Sequence, residues 1–158
     1  MKAGQWDRKD KRVVINTIPI PEPGPNQILV KIVSASLCHS DLKAFEIPGE
    51  EPQTLGHEGA GLVAKLHKSA EGKGFQVGDA IGFLYHIGSC HECEGCQLHS
   101  AYCFTGGCKV QGITAPGFFA QYAVVDWQNA IHIPPTWDLK TSSVFFCAGL
   151  TGKGQAVS

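Results

Sequence analysis

Short apolar runs broken by glycine and proline make up most of the chain, and they predict a mainly β fold with little helix. β-Branched and aromatic residues dominate these runs, and turn-forming residues bound each of them, as in the short strands of a barrel or sandwich. Predicted strands fall at 13–15, 28–33, 62–66, 118–125 and 130–133, with a turn into a further strand over 75–82. The prolines at 19, 21, 23 and 25 exclude a helix interior and a central strand in that segment.

Two segments carry helix signals rather than strand signals. A short helix is predicted over 36–45, with Ser36 as its N-cap, because a serine side chain accepts hydrogen bonds from the first amides of a helix. Pro48 and Gly49 would end this helix. A second helix is predicted over 139–146, with Asp138 in the capping position.

Length and charge restrict the classes of function. The 158 residues are enough for one domain with a substantial core, and the formal net charge is −1. Without a basic excess, we expect no binding to nucleic acid or to an anionic membrane surface. No run approaches the roughly 18 apolar residues of a membrane-spanning helix, and the polar N-terminus has no apolar signal core. We therefore expect a soluble cytoplasmic protein.

Seven cysteines give the first candidate chemistry, and five of them lie close together. An odd number of cysteines without a secretion signal favours metal binding over disulfides. Cys90, Cys93 and Cys96 recur at intervals of three, which places successive thiolates around one ion. A fourth sulfur, from Cys103 or Cys108, would complete a closed tetrahedral zinc site of the structural type.

A second set of metal donors is spread along the chain. Cys38 offers a soft thiolate and His57 an imidazole, and zinc binds both. Cys147 lies far downstream, after the apolar stretch 143–146. Three protein ligands leave one coordination position for water or substrate, which is the pattern of a catalytic zinc rather than a structural one.

The residues around these donors carry a family resemblance. Residues 38–41 read Cys-His-Ser-Asp, residues 56–61 read Gly-His-Glu-Gly-Ala-Gly, the cysteine-rich lobe follows, and residues 146–151 read Phe-Cys-Ala-Gly-Leu-Thr. In this order the motifs resemble the zinc-dependent alcohol dehydrogenases of the medium-chain dehydrogenase/reductase superfamily. The resemblance implies a GroES-like catalytic domain over 1–151, a partly open β-barrel with short helices and a structural-zinc lobe at about 88–110.

The resemblance also implies the chemistry of the two sites. It predicts two zinc ions per chain and NAD(P) as the hydride acceptor. The catalytic zinc, held by Cys38, His57 and Cys147, would activate an alcohol that is oxidised to an aldehyde or ketone. Asp41 would hold the His57 imidazole in the tautomer that binds the metal.

Other residues take their expected roles from the same resemblance. Ser40 would accept the alcohol proton, and Glu58 would tune the metal electrostatically. His39 falls where the family contacts the cofactor pyrophosphate, and Tyr85 falls where it places an aromatic wall of the substrate pocket. The proton relay of the family often ends in a histidine where this chain has Lys43, so the proton would pass either to solvent or through Lys43.

The fourth ligand of the structural zinc is also expected from the resemblance. The spacing in the family favours Cys103 over Cys108, which remains the alternative. His91 and His99 are weaker competitors for the same position. In the resembled family this lobe does no chemistry.

The resemblance stops before the cofactor domain that follows in the family. The chain has no glycine-rich dinucleotide fingerprint that follows a strand and opens a helix. We interpret the chain as a truncated product with a divergent tail at 152–158 and with little or no activity by itself. The alternative is a non-catalytic, zinc-binding GroES-like module. The expected partner is a small alcohol or aldehyde, and any oligomer would form without the usual cofactor-domain interface.

Overall fold

The computed structural model describes residues 1–105 and 107–156, the last four of these by their backbone only. In chain order the strands are β1 (Lys2–Asp7), β2 (Arg12–Thr17), β3 (Gln27–Ser36), β4 (Gln53–Thr54), β5 (Glu58–Leu66), β6 (Ala80–Phe83), β7 (His86–Ile87), β8 (Lys109–Val110), β9 (Tyr122–Asp126) and β10 (Ala130–His132). The α-helices are α1 (Glu94–Leu98) and α2 (Ala148–Ala156), and 3-10 helices cover His39–Phe45, Lys68–Ala70, Ser100–Tyr102, Trp127–Asn129 and Ser142–Phe146. The mainly β prediction is confirmed.

Three antiparallel sheets hold these strands. The largest has the order β10-β6-β5-β3-β9, the second has the order β2-β1-β4, and β7 pairs with β8. Over the described ranges the sheets do not close into a barrel. In those ranges no helix is long and apolar enough to cross a membrane.

The core is built from apolar residues of the five-stranded sheet and of the loop that precedes β9. Ile28, Val63 and Ile81 are buried in it. The rings of Phe83 and Phe118 pack edge to face in the same cluster, with centroids 4.8 Å apart. Each such side chain contributes about 1.5–3 kcal/mol on burial. The sheet therefore gives a firm base to the strand ends that carry the first candidate site.

Two register shifts interrupt the pairing of β3 with β5 and compensate each other. Ala64 of β5 and Val33 of β3 are each left out of the pairing. An extra residue in one strand moves the pairing by one position, and the extra residue in the other strand restores it. As a result Ser36, the last residue of β3, lies directly opposite Glu58, the first residue of β5.

The predicted N-cap at Ser36 is wrong. Ser36 ends β3, and the 3-10 helix begins at His39 with Cys38 in the cap position. The Asp41 carboxylate accepts a hydrogen bond from the backbone N–H of Cys38 at 2.9 Å. Pairing with β5 up to Ser36 outweighs the weak capping preference of one serine.

The second predicted helix is shorter than expected. It begins at Ser142 rather than at residue 139, and it is a 3-10 helix. Asp138 instead closes the turn before it, because its side chain accepts the Lys140 N–H at 3.0 Å and its carbonyl accepts the Thr141 N–H at 3.0 Å.

The end of this 3-10 helix packs closely on β6. A Cβ at Gly82 would lie 1.6 Å from the Cζ atom of Phe146, so any side chain there would displace the ring. Cys147 follows Phe146 directly. The contact therefore fixes the position from which Cys147 reaches the first candidate site.

The remaining strand predictions are confirmed in part. The runs at 13–15, 28–33 and 62–66 lie in β2, β3 and β5, the run at 130–133 coincides with β10 except for its last residue, and the turn at 75–82 leads into β6. The run at 118–125 is a strand only from Tyr122, because the Phe118 and Phe119 amides bond to the carbonyls of Gly56 and Leu55. β1 was not predicted.

The ends of two predicted segments need separate mention. α2 runs across the predicted boundary between 151 and 152. Residues 157 and 158 of the predicted tail, and residue 106 of the predicted lobe, lie outside the described residues.

Candidate metal centres

Four donors from distant parts of the chain meet at the first candidate centre. Donor atoms of Cys38, His57, Glu58 and Cys147 all lie within 4.8 Å of one another. Cys38 follows β3, His57 and Glu58 stand at the start of β5, and Cys147 follows the Ser142–Phe146 helix. The structure thus brings together the three residues for which the sequence predicts a catalytic zinc.

Asp41 holds two of these donors at once. One carboxylate oxygen of Asp41 lies 2.8 Å from Nδ1 of His57, and the other accepts the Cys38 backbone N–H at 2.9 Å. The Asp41 side chain is 3% exposed and that of His57 is 2% exposed, so water competes little for these bonds. With Nδ1 donating to Asp41, the Nε2 lone pair of His57 faces the other donors.

The donor set fits a soft divalent metal ion. In the described part of the chain, Nε2 of His57 is buried and makes no hydrogen bond of ordinary geometry. Leaving a buried polar atom without a partner costs about 1–3 kcal/mol. A metal ion bound by this nitrogen and the two thiolates would remove that cost, and sulfur with imidazole is the ligand set that zinc prefers.

In the absence of a metal ion, opposing effects act on the pKa values of the ligand residues. Burial would lower the pKa of His57, but the hydrogen bond and the charge of Asp41 raise it above its ordinary value. Burial would raise the pKa of Cys38, but hydrogen bonds from Ser40 and the effect of His57 lower it. Burial and the neighbouring Cys38 raise the pKa of Cys147 to about 11. Metal binding must therefore displace a proton from Cys147.

Glu58 is held at both oxygens. Its Oε1 accepts the backbone N–H of Ala148 at 2.9 Å, and its Oε2 accepts the Ser36 hydroxyl at 2.5 Å. The residue is 1% exposed. The sequence placed Glu58 beside the metal, but it did not reveal that a carboxylate oxygen stands among the donors. Nor did any sequence signal connect Ser36 with Glu58, because the connection depends on the register of β3 and β5.

Tyr85 packs against this centre. Its ring meets the His57 ring edge to face, with centroids 5.3 Å apart. Burial, with the neighbouring Cys147 as a further cause, raises the pKa of Tyr85. Tyr85 therefore stands beside two of the donors, and its role as a wall of the substrate pocket stays a prediction.

The remaining predicted residues of this centre lie on its outer side. Ser40 and His39 are exposed at the start of the 3-10 helix, and the Ser40 hydroxyl and N–H interact with the Cys38 sulfur. Nζ of Lys43 lies 3.4 Å from Oε2 of Glu46, in a pair whose side chains are 66% and 69% exposed. Lys43 thus stands in a surface ion pair.

Four cysteines form the second candidate centre. The sulfurs of Cys90, Cys93, Cys96 and Cys103 all lie within 4.8 Å of one another. The Cys90 sulfur is 3.6 Å from that of Cys103 and 3.9 Å from that of Cys96, which is far longer than a disulfide bond of about 2.05 Å. Four sulfurs bonded at about 2.3 Å to one tetrahedral zinc ion stand about 3.8 Å apart, so the spacing fits zinc.

The other candidates for the fourth position stand elsewhere. The Cys108 thiol is directed at the carbonyl of Lys109, at 3.8 Å, and is not a member of the four-sulfur group. Nδ1 of His99 accepts the Ala101 N–H at 3.1 Å. Nε2 of His91 lies 3.7 Å from a carboxylate oxygen of Asp126.

Backbone hydrogen bonds favour the thiolate form of one cysteine of the lobe, whereas burial disfavours it in another. Backbone N–H groups of Phe104 and Cys96 lower the pKa of Cys93 to about 7. Burial, with the neighbouring thiols as a further cause, raises the pKa of Cys96 to about 12. The lobe can close this tightly because Gly95 carries no side chain, since a Cβ there would lie 2.0 Å from the carbonyl oxygen of Tyr102.

Comparison with known proteins agrees with this arrangement. A sequence model of the family described as "Alcohol dehydrogenase GroES-like domain" matches residues 24–135. The chain belongs to this family. The match includes Cys38, His57 and the four-cysteine lobe, whereas Cys147 lies beyond its end.

Individual relatives of this GroES-like domain are alcohol dehydrogenases. Alcohol dehydrogenase 1 of Emericella nidulans is 38% identical over 156 residues, covering 93% of this chain and 43% of that protein. Alcohol dehydrogenase TADH from Thermus sp. ATN1 superposes with a TM-score of 0.84 at 26% identity, covering 99% of this chain and 47% of that one. The cobalt- and zinc-bound thermostable alcohol dehydrogenase from Pyrobaculum aerophilum has a similar fold, with a TM-score of 0.80 at 24% identity, and covers 99% and 48%. This GroES-like domain therefore spans less than half the length of each relative.

Proposed function

We propose that this chain forms the zinc-binding catalytic unit of an alcohol dehydrogenase, which oxidises an alcohol to an aldehyde or ketone with NAD(P). The observation that supports this most directly is the convergence of Cys38, Cys147 and the buried Nε2 of His57, which makes no hydrogen bond of ordinary geometry among the described residues. Family membership supports the same reaction class. Because the chain spans less than half of its relatives' length, the complete reaction is a proposal for this chain.

The proposed first site would supply Lewis-acid chemistry. Zinc held by Cys38, His57 and Cys147 would lower the pKa of an alcohol and polarise a carbonyl oxygen, and NAD(P) would accept the hydride. Asp41 keeps Nδ1 of His57 protonated and the ring oriented. The same carboxylate anchors the Cys38 backbone, so one residue positions two ligands.

The proposed route for the alcohol proton begins at Ser40. Its hydroxyl is exposed to solvent and interacts with the Cys38 sulfur, so it can pass a proton from the site to water. We propose that the route ends at solvent, since Lys43 is engaged with Glu46 on the surface.

Two further residues are proposed to contact small molecules. The aromatic face of Tyr85 beside His57 and Cys147 suits the apolar part of an alcohol or aldehyde. His39, exposed at the start of the same 3-10 helix as Ser40, is proposed to meet the cofactor pyrophosphate.

The four-cysteine lobe is proposed to hold a second, structural zinc ion. Its four sulfurs leave no open position for a substrate. Seven reduced thiols need a reducing compartment, so we also propose a cytoplasmic location. The formal net charge of −1 gives no reason to expect nucleic acid or an anionic membrane as a partner.

Metal stoichiometry tests the proposed first site. The purified chain should hold two zinc ions, and Cys147→Ala should hold one, because the remote ligand is lost. Cys108→Ala is the matched control and should keep two, since Cys108 belongs to neither donor group. Elemental analysis after dialysis measures the count. Two zinc ions retained by Cys147→Ala would contradict the assignment of that ligand.

Activity of the purified chain is expected to be very low. Hydride transfer needs the nicotinamide held against the alcohol carbon, and positioning supplies much of the rate. The sequence offers no dinucleotide fingerprint to hold it. Alcohol-dependent reduction of NAD or NADP, followed by absorbance, should stay near the protein-free background. A turnover of about 1 per second or more would contradict this expectation.

A second candidate function is a non-catalytic zinc-binding module. The completeness of the four-cysteine group within residues 90–103 favours it, because that lobe needs no other segment to bind metal. Two zinc ions together with cofactor binding in a titration would favour the dehydrogenase unit. One zinc ion, held only by the lobe, would favour the module.

A further inference from the structure

The carboxylate of Glu58 connects three parts of the fold at the first centre. It belongs to β5, its Oε1 accepts the amide of Ala148 at the start of α2, and its Oε2 accepts the hydroxyl of Ser36 at the end of β3. Ala148 is the direct neighbour of Cys147. Whatever fixes this carboxylate therefore also fixes the backbone beside the remote ligand.

The geometry points to Ser36 as a positioning residue of the first centre. We propose that its hydroxyl orients Glu58 so that the carboxylate stays bonded to the Ala148 amide and holds Cys147 within reach of Cys38 and His57. In this role Ser36 does not bind the metal and acts on the three ligands only through Glu58. The role rests on the proposed function, because it serves the metal centre proposed there.

The fold supports this role through the register of the central strands. Ser36 and Glu58 are directly opposite residues of β3 and β5, where side chains stand close enough to interact. The register shift at Val33 compensates the earlier shift at Ala64, so Ser36 and Glu58 pair in the same register as Ile28 and Leu66 at the other end of the strands. The pairing thus brings one hydroxyl to one carboxylate.

The burial of Glu58 explains why one hydroxyl matters. Glu58 is 1% exposed, so a carboxylate oxygen that loses its partner cannot recover the bond from bulk water. It would rotate toward another donor or toward the metal, and the bond to Ala148 would be lost with that rotation. Partners that orient metal ligands from outside typically contribute about 10–100-fold to metal affinity.

Hydrogen exchange of the metal-free chain tests the role without metal or activity. In Ser36→Ala the Ala148 amide should exchange about 10-fold faster than in the unchanged chain, because Glu58 is no longer fixed. Ser36→Thr keeps the hydroxyl and should stay within about 2-fold. Ser34→Ala is the matched control, since Ser34 is in the same strand and its hydroxyl donates to the Leu139 carbonyl.

The amide of Val63 reports on loosening of the large sheet as a whole, because it joins β5 to the Asp79 carbonyl directly before β6. Its exchange should be equal in all four chains. Unchanged exchange of Ala148 in Ser36→Ala, or an equal acceleration in Ser34→Ala, would overturn the role of Ser36.

Cobalt binding provides the second measurement. The absorption bands of cobalt(II) bound by four sulfurs differ from those of cobalt(II) bound by two sulfurs and a nitrogen. The two centres can therefore be titrated separately in one sample. Ser36→Ala should weaken binding at the first centre by about 10-fold and leave the four-cysteine centre unchanged. Equal affinity at the first centre would count against Ser36. If the unchanged chain binds only one cobalt ion, the proposed metal centre fails, while the exchange of Ala148 still decides whether Ser36 positions Glu58.

Discussion

At the scale of single residues, Asp41 is the best-supported organiser of the first centre. It is buried, and each of its oxygens bonds to a different ligand residue. The sequence predicted the contact with His57 through the family resemblance. The second contact, with the Cys38 amide, required the 3-10 helix that places residues 38 and 41 together.

Replacement of this carboxylate should weaken metal binding. Asp41→Asn keeps the shape of the side chain but removes its charge and one acceptor, so zinc affinity at the first centre should fall by about 10–100-fold. Asp10→Asn is the control, because Asp10 pairs with Arg12 on the surface. Competition with a chromophoric chelator measures the affinity. Equal affinity in both variants would contradict the role of Asp41.

The same pair should give the metal-free chain a characteristic pH dependence. The pKa of His57 is raised in the folded chain, so its stabilising contribution is complete below the ordinary histidine value of 6.5. It is lost as the pH rises through the folded-state pKa. Denaturant unfolding of the metal-free chain should show stability decreasing over that interval. Asp41→Asn should flatten the decrease, and a decrease of the same size in that variant would point to another group.

At the scale of elements, the sequence predicted the long strands and missed what depends on tertiary contacts. β3 was visible because its apolar run includes the buried residues Ile28, Leu29 and Val30, whereas β5 was predicted only from residue 62 and its buried start at 58–61 was missed. Ser36 was assigned to a helix cap because local preference favours serine there, whereas the pairing with β5 keeps it in the strand. β4, β7 and β8 have two residues each, which is too short for a periodic signal.

The candidate sites were predicted unevenly for a related reason. The cysteines of the lobe are close in sequence, so their spacing revealed a metal site directly. Cys147 was assigned through the resemblance, because no spacing rule connects it with Cys38. The position of Cys147 near Cys38 depends on the packing of Phe146 against Gly82, and this tertiary contact cannot be read from the local sequence.

The close packing of Phe146 on Gly82 predicts that a methyl group added at residue 82 destabilises the chain. Gly82→Ala should displace the Phe146 ring and destabilise the chain by about 1–3 kcal/mol. It should also weaken metal binding at the first centre, because Cys147 moves with Phe146. Gly152→Ala is the control, since a Cβ there meets nothing within 4 Å, and it should be neutral or slightly stabilising. Denaturant unfolding and zinc titration measure both effects, and unchanged values for Gly82→Ala would contradict the packing argument.

At the scale of the whole molecule, the two centres differ in how much buried apolar structure surrounds them. The first is assembled on strands whose core residues are fully buried. The second lies in a lobe of short segments, α1 and the 3-10 helix Ser100–Tyr102, with little apolar burial of its own. Metal should therefore matter more for the folding of the lobe than for the folding of the large sheet.

Removal of metal should expose this difference. A strong chelator should abolish hydrogen-exchange protection in residues 90–103 while the amides of β3 and β5 keep theirs. Cys90→Ser should have the same local effect without the chelator, because Cys90 lies at the centre of the sulfur contacts. Loss of protection throughout the sheet would show that the lobe and the sheet unfold as one unit.

The late position of Cys147 has a consequence for biosynthesis. The N-terminal residues leave the ribosome first, so the four thiols of the lobe are all available before the last thiol of the other cluster emerges. During translation the lobe can bind a metal ion early, while Cys38 and His57 still lack the third ligand, Cys147. A nascent chain stalled ahead of residue 147 would thus carry one loaded site and one unfinished site.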